Sequence, residues 1–421
     1  MLQGEAFVRM AHRRLDSWPT PQQESLLRAA LLHGRSALEA WEEWRARTDI
    51  DHLDAGSYRL LPLLYRNLHR QGARDPTLEG FRNHYHRVWR ENQLLFHRTA
   101  KLLRVLRENG IDVIALKGAA LSVLYYRDCG VRVMDDVDLL VPEKALAKTI
   151  RLMKTAGFVP PEGWPPGHVH MFCDAGGQRI DLHWRVFPYG PHKVPDDPFW
   201  DGAVPIEIHG ASVYALNPSD QLLLVCVHGV EWNLVPTIRW VADAMTILAV
   251  AKSVVDWTRV CAQARVRRLT LPLQDTLGYL LDVFAAPIPE SVLRNLRQQH
   301  TSIGERMMYI ALTRPHDLRS PWLWLYDCYR HNSAWLPGDT SLLRRLVEFS
   351  RLLQGALKTD HLWQLPAIAG AKALRWIGRL AMRYRSQWSR PKSQIPRLGS
   401  VEKPGGEPPW ESRSTQPNPG R

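Results

Sequence analysis

The sequence predicts an α+β protein: a small mixed sheet, backed by helices, between an N-terminal and a C-terminal helical lobe. Three observations carry that expectation. Residues Ile111 to Leu216 interleave short strand-like runs with helical ones, the pattern of a small sheet covered by helices. The segments before residue 95 and after Asn217 read as almost wholly helical. No stretch of about 18 uninterrupted apolar residues occurs, and the best candidate, Leu222 to Val227, is too short to cross a bilayer. With 421 residues, 45% of them hydrophobic, the chain exceeds the usual size of one core.

Each element has its own signal. Thr20-Pro21-Gln22-Gln23 forms a capping box with proline at the first helical position, opening a helix through Leu26, Leu27 and Leu31. Helical patterns continue through Leu60 to Leu68 and Phe81 to Arg107, so residues 1–94 form the first lobe. Asn109-Gly110 stops the last of these helices, and Ile111 to Leu116 is short, apolar and branched, as a buried strand is. Lys117-Gly118 ends it, and Ala119 to Tyr126 returns to helical composition. Asp136 to Val141 alternates before becoming wholly apolar, and Glu143 to Ala156 reads as a helix. His168 to Asp174 and Arg179 to Trp184 flank the turn Ala175-Gly176-Gly177-Gln178 as a hairpin, and Ala203 to Ile208 with Ala211 to Leu216 form a further strand pair. Residues 95–216 are thus the expected core domain. Asn217-Pro218-Ser219-Asp220 caps a second helical lobe over 217–388. Beyond it, 389–421 is rich in Pro, Gly, Ser and Arg without periodicity and is expected to be disordered.

The chemistry concentrates in the core domain. A glycine at a strand-to-helix turn lets backbone N–H groups approach a phosphate, so Gly118 and Ala119 are candidates for phosphate binding and Lys117 adds a point charge beside them. A period of two puts Asp136 and Asp138 on one face of their strand. Two adjacent carboxylates repel unless a cation lies between them, and oxygen ligands suit Mg²⁺. On the second hairpin strand Asp181 and His183 share a face, opposite Ile180, Leu182 and Trp184. A two-metal centre for phosphoryl or nucleotidyl transfer needs about three carboxylates, which makes Asp181 the third if its strand lies beside that of Asp136 and Asp138.

Leu116-Lys117-Gly118-Ala119-Ala120-Leu121, Arg132-Val133-Met134-Asp135-Asp136-Val137-Asp138-Leu139-Leu140-Val141 and Ile180-Asp181-Leu182-His183-Trp184, in that order, resemble a nucleotidyltransferase family of the DNA polymerase β-like superfamily. His228-Gly229 and Ile238-Arg239-Trp240-Val241-Ala242-Asp243 resemble its downstream helical motif, and the likeness runs from about Leu95 to Leu248. The resemblance implies transfer of a nucleoside monophosphate from an NTP substrate to a hydroxyl acceptor, with Mg²⁺ or Mn²⁺ held by Asp136, Asp138 and Asp181. Better known nucleotidyltransferases carry Gly-Ser at the phosphate turn where this chain has Gly118-Ala119, so phosphate binding would rest on backbone N–H groups and Lys117.

Other readings attach to the same residues. Arg132 either offsets the carboxylates or grips a triphosphate bidentately. Arg239 and Asp243, four apart, read as a helix-surface ion pair, and His228 as a core or inter-lobe histidine. His168, His170 and His183 read as a polar strand face rather than a zinc cluster. A nucleotide-sugar-dependent glycosyltransferase also employs an Asp-x-Asp pair, and a non-catalytic nucleotide-binding or scaffold protein would need no serine at Ala119. The five scattered cysteines have no C-x-x-C pair and favour reduced thiols. Glu5, Arg9, Arg13 and Arg14 argue against a signal peptide, so a cytoplasmic protein is expected. A net charge of +13 favours polyanionic partners. Within Lys372 to Trp388, Arg375, Arg379 and Arg383 line one face of an amphipathic helix suited to an anionic membrane or nucleic acid, although such helices more often pack on their own lobe.

Overall fold

The computed structural model describes residues 18–161, 169–187, 194–231, 238–313, 325–326 and 341–357, with scattered positions between 359 and 374. The expected amphipathic helix over Lys372 to Trp388, apart from Leu374, and the tail 389–421 lie outside the described residues, as do His168 and Cys328. In chain order the elements are α1 (Pro21–Leu31), α2 (Arg35–Arg47), α3 (Ala55–Tyr58), α4 (Leu61–Arg70), α5 (Pro76–Gly80), α6 (Arg82–Glu108), β1 (Ile114–Ala115) and α7 (Lys117–Leu121). There follow β2 (Asp136–Leu140), α8 (Leu146–Thr155), β3 (Val169–Cys173), β4 (Arg179–His183), α9 (Asp197–Asp201), β5 (Val204–Ile208) and β6 (Ala211–Ala215). The helices α10 (Pro218–Gly229), α11 (Arg239–Ala251), α12 (Trp257–Val266), α13 (Thr270–Phe284), α14 (Glu290–Gln298), α15 (Ile303–Thr313) and α16 (Leu342–Leu357) complete the description.

The protein is α+β, as the sequence predicts, with one six-stranded mixed sheet in the order β3-β4-β2-β1-β6-β5. Both expected hairpins form, β3 with β4 and β5 with β6. Parallel pairing joins β2 to β4 and β1 to β6, while β1 and β2 run antiparallel. Alternation decides which face of β2 is apolar: Val137 and Leu139 are fully buried and join Ile180, Leu182, Val213, Phe96 and Leu103 in a core against the sheet.

Two local expectations change. The strand expected over Ile111 to Leu116 contracts to Ile114–Ala115: the Ile111 N–H donates to Leu106 O as the close of α6, and at the other end the Leu116 N–H makes a last bond in register with β2, to Asp138 O at 3.0 Å, before Lys117 opens α7. The helix expected over Ala119 to Tyr126 begins at Lys117 and widens into a π turn over Ser122–Tyr126, a form that often accompanies functional sites.

The helices on either side of the sheet in sequence share a single second core. Leu26, Leu27, Trp44, Leu64 and Leu68 belong to the same buried cluster as Leu223, Val241, Leu273 and Leu280. At its centre Trp18 meets Trp240 edge-on at 5.7 Å and Tyr279 at 4.7 Å. The capping box of α1 forms as expected, with Thr20 and Gln23 bonding reciprocally, and Arg28 from α1 donates to Val283 O on α13 at 2.7 Å. No helix among the described residues is long and apolar enough to cross a membrane.

Candidate active site

The register of the sheet assembles the acidic cluster. Parallel pairing sets Asp138 directly beside Asp181 and Asp136 beside Arg179. His183 follows Asp181 by two residues, so its side chain emerges on the same face. One ligand atom from each of Asp138, Asp181 and His183 lies within 4.8 Å of the others. Asp138 and His183 are buried, and Asp136 and Asp181 are half-buried beside them.

Asp138 is the anchor. Its Oδ1 accepts from Lys117 Nζ at 2.8 Å and lies 2.9 Å from His183 Nε2. Burial works to raise its carboxyl, but the Lys117 ammonium and the His183 bond outweigh burial and hold it well below the usual carboxylate range. An ionised carboxylate only accepts, so the shared proton sits on His183 Nε2. Burial lowers the imidazole below its ordinary value despite that bond, which favours the neutral ring. Lys117 has φ 42°, in the left-handed region that non-glycine residues seldom adopt, and the bond between Leu116 N and Asp138 O fixes the turn that presents it.

The two other carboxyls move the opposite way. Burial and the neighbouring Asp138 raise Asp136. Burial, reinforced by Asp138 and Asp136, pushes Asp181 up to about 7. Neither Arg179 nor Arg185 bonds Asp181 within the hairpin: Arg185 instead lies 3.7 Å from Glu143, and Asp181 Oδ1 is a buried oxygen with no hydrogen-bond partner among the described residues. A buried orphan oxygen is costly, and a cation between the carboxylates would satisfy it.

The remaining expected residues have more varied surroundings. Gly118 packs under the Arg132 side chain, where a Cβ would run into the guanidinium and stand 2.9 Å from Met134 Sδ, so packing alone demands glycine. Ala119 is buried in the apolar cluster against the sheet. A hydroxyl at that side chain would meet the core, and only its N–H, in the first helical turn, is left for an anion. Arg132 is buried and bidentate to Asp243 on α11, with Nε and Nη2 each at 2.9 Å, and Tyr126 donates to the same carboxylate at 2.9 Å. The ion pair expected between Arg239 and Asp243 along α11 is replaced, because Asp243 turns to Arg132 and Arg239 Nη1 donates to Val133 O at 2.6 Å.

Helices α10 and α11 also bring residues to the site that local patterns had read as ordinary. His228 at the end of α10 is half-buried, and its Nδ1 lies 3.0 Å from Glu231 Oε2. His183 senses the charge of His228, and Lys117 that of Glu231. Gly229 lets α10 press against Trp240, where a Cβ would come within 2.8 Å of the indole Cδ1. Arg239 opens α11 near enough to Asp136 for its charge to lower that carboxyl. The sequence signal for His183 was its alternation with Asp181. For Arg239 the four-residue spacing to Asp243 pointed to the wrong partner.

A family profile described as an uncharacterised nucleotidyltransferase matches residues 55–285, more than half of the chain. The chain belongs to this nucleotidyltransferase family. The matched span includes α3, the whole sheet, and α10 to α13, so the family unit takes in every residue of the cluster together with Arg239 and Asp243. No curated protein matches the chain. Among solved structures, the chain is similar to an antigenic nucleotidyltransferase-like protein from Paracoccidioides brasiliensis, at 17% identity and a TM-score of 0.34, covering 49% of this chain and 94% of that one. It is also similar to the antibiotic-resistance factor ANT(2'')-Ia, at 16% identity and a TM-score of 0.31, covering 44% and 96% respectively.

Proposed function

We propose that this nucleotidyltransferase moves a nucleoside monophosphate from an NTP to a hydroxyl acceptor, with Mg²⁺ or Mn²⁺ held by Asp136, Asp138 and Asp181. The observation that carries the proposal is the meeting of Asp138, Asp181 and His183 within 4.8 Å, with a partnerless buried oxygen on Asp181. Donor chemistry fits the cation: the carboxylate oxygens suit Mg²⁺, and an imidazole nitrogen extends the set to Mn²⁺. When bound, the metal would neutralise charge on the phosphates and lower the pKa of the acceptor hydroxyl.

The chain's own groups supply the rest. Asp138, kept ionised by Lys117 and His183, holds its charge across the physiological range. Asp181 sits close enough to neutral pH to lose its proton as a cation enters. Lys117, bonded to Asp138, is one carboxylate away from where the phosphates would lie and can exchange that partner for a phosphate oxygen. The first turn of α7 offers backbone N–H groups, with Gly118 and Ala119 contributing through the main chain only. Arg132, expected to contact nucleotide, would act through Asp243 by fixing the segment that leads into β2.

A second reading, nucleotide binding without transfer, draws on the same Lys117–Asp138 bond, since an ammonium already compensates the carboxylate a metal would use. Two measurements separate the readings: melting temperature with each NTP, with and without Mg²⁺, and pyrophosphate release, on wild type and Asp138→Asn. A Mg²⁺-dependent shift and slow pyrophosphate release, both lost in the variant, support transfer. A shift without any pyrophosphate supports binding alone. Loss of one metal carboxylate should lower turnover by roughly 10²- to 10⁴-fold.

A further inference from the structure

The cations around the carboxylates do not have equivalent surroundings. Arg132 is paired bidentately with Asp243, and Lys117 with Asp138. Arg59, on the segment after α3, is paired with Asp135. Arg239 differs from all three: half-buried, among the described residues it has no carboxylate within ion-pair distance and its guanidinium donates only to the Val133 carbonyl. Five N–H donors stand on that group and Val133 uses one. Its charged neighbours include Arg132 and Arg59, of its own sign, and Asp243, whose carboxylate is already held by Arg132 in a bidentate pair. Burial, with Arg132 and Arg59, outweighs Asp243 and lowers its pKa to about 10, so it stays charged at neutral pH while its desolvation is only partly compensated. Such an arrangement is unfavourable unless an anion completes it.

The location says which anion. Val133 lies three residues before Asp136, and Arg239 stands near enough to Asp136 for each to sense the other. A ligand spanning from the carboxylate cluster to Arg239 would therefore run from a metal-binding end to a cationic end. This is the charge pattern of a nucleotide's polyphosphate chain, whose terminal phosphates carry most of the charge. Planar, forked donors recognise phosphate oxygens bidentately.

We infer that Arg239, not Arg132, is the binding residue for the terminal phosphates of the NTP, with Arg59 beside it. The inference rests on the nucleotidyl-transfer reading above and assigns a residue that local sequence pattern takes for a surface ion pair. Arg239 stands on the helical body and the carboxylates on the sheet, so the triphosphate bridges the two.

The test measures binding without an acceptor. Titrations of wild type, Arg239→Gln and Arg239→Lys with Mg²⁺-NTP, Mg²⁺-tripolyphosphate and the corresponding NMP are followed by calorimetry, with circular dichroism checking that each variant is folded. The expected result is that tripolyphosphate competes with NTP in wild type, that Arg239→Gln weakens both about 10- to 100-fold, that Arg239→Lys recovers part of the loss, and that NMP binding does not change. Equal NTP affinity in wild type and a folded Arg239→Gln overturns the inference and leaves the nucleotide site intact. Equal weakening of NMP and NTP also overturns it, because it would indicate a general disturbance of the site. If Arg239→Gln does not fold, Arg239→Lys decides: affinity for tripolyphosphate equal to wild type refutes a forked contact. Failure of wild type to bind any NTP would sink the parent reading, and this one with it.

Discussion

Replacing Asp181 with asparagine should stabilise the metal-free protein at pH 8 while lowering the proposed nucleotidyl transfer by roughly 10²- to 10⁴-fold. Burial and the charges of Asp138 and Asp136 push Asp181 up to about 7, from an ordinary value of 3.8. The folded state therefore holds a proton that the unfolded chain has already released between about pH 4 and pH 7. Stability falls as pH rises through that window, and the whole penalty is present at pH 8. About three units at roughly 1.4 kcal/mol each set an upper limit of ~4 kcal/mol, and partial exposure reduces the expected effect to about 2 kcal/mol. Asparagine keeps the shape and removes the charge. Urea unfolding of wild type and variant in chelator, at pH 4 and pH 8, measures the difference directly. The variant should gain about 2 kcal/mol over wild type at pH 8 and only about a quarter of that at pH 4, while Mg²⁺ at pH 8 should stabilise wild type more than the variant. An Asp181→Asn variant no more stable than wild type at pH 8 would refute the claim that these carboxylates are in electrostatic conflict.

Gly118→Ala should lower stability by about 1–3 kcal/mol, since its methyl must displace the Arg132 guanidinium; denaturant midpoints check this, and a neutral result would mean the contact relaxes freely. Asp243→Ala should cost about 3–5 kcal/mol by leaving Arg132 buried and unpaired, and Arg132→Met in the same chain should restore part of the loss; a double-mutant cycle of unfolding free energies reads both terms. Ala119→Ser should lower stability by about 1 kcal/mol without tightening Mg²⁺-NTP binding, because the side chain faces the core; tighter binding by calorimetry would place that hydroxyl at the phosphates instead.

Local pattern made most of the sheet legible. The alternation in β2 and β4 identified which residues share a face, the Ala175 to Gln178 turn located the hairpin, and Thr20 with Gln23 marked the start of α1. Because β4 does lie beside β2, as the candidate third carboxylate required, alternation also reached Asp181 and His183. Long-range partners were beyond such reasoning. The Arg132–Asp243 pair spans 111 residues, and nothing periodic links its members. The four-residue spacing of Arg239 and Asp243 is favourable on an isolated helix, yet tertiary contacts took both side chains elsewhere. Gly118 was legible as a required glycine, but the reason for it, a side chain pressing on its Cα, depends on the arrival of Arg132.

The shared core of the flanking helices bears on how the chain is made. Ribosomal synthesis delivers α1 to α6 first, with Leu26, Leu27, Trp44 and Leu64 exposed until residues that complete their burial, such as Val241, Leu273 and Leu280, have emerged. The sheet, whose strands lie between residues 114 and 215, can close before then. Contacts spanning 255 residues, such as Arg28 with Val283, form slowly, and the nascent chain presents apolar surface throughout the wait. The carboxylates would thus be assembled early and Arg239 delivered late, so that a chain stopped short of α11 would carry the acidic cluster without its cationic counterpart. Chaperone dependence during translation, rather than intrinsic instability of the finished protein, is the expected consequence for its production in cells.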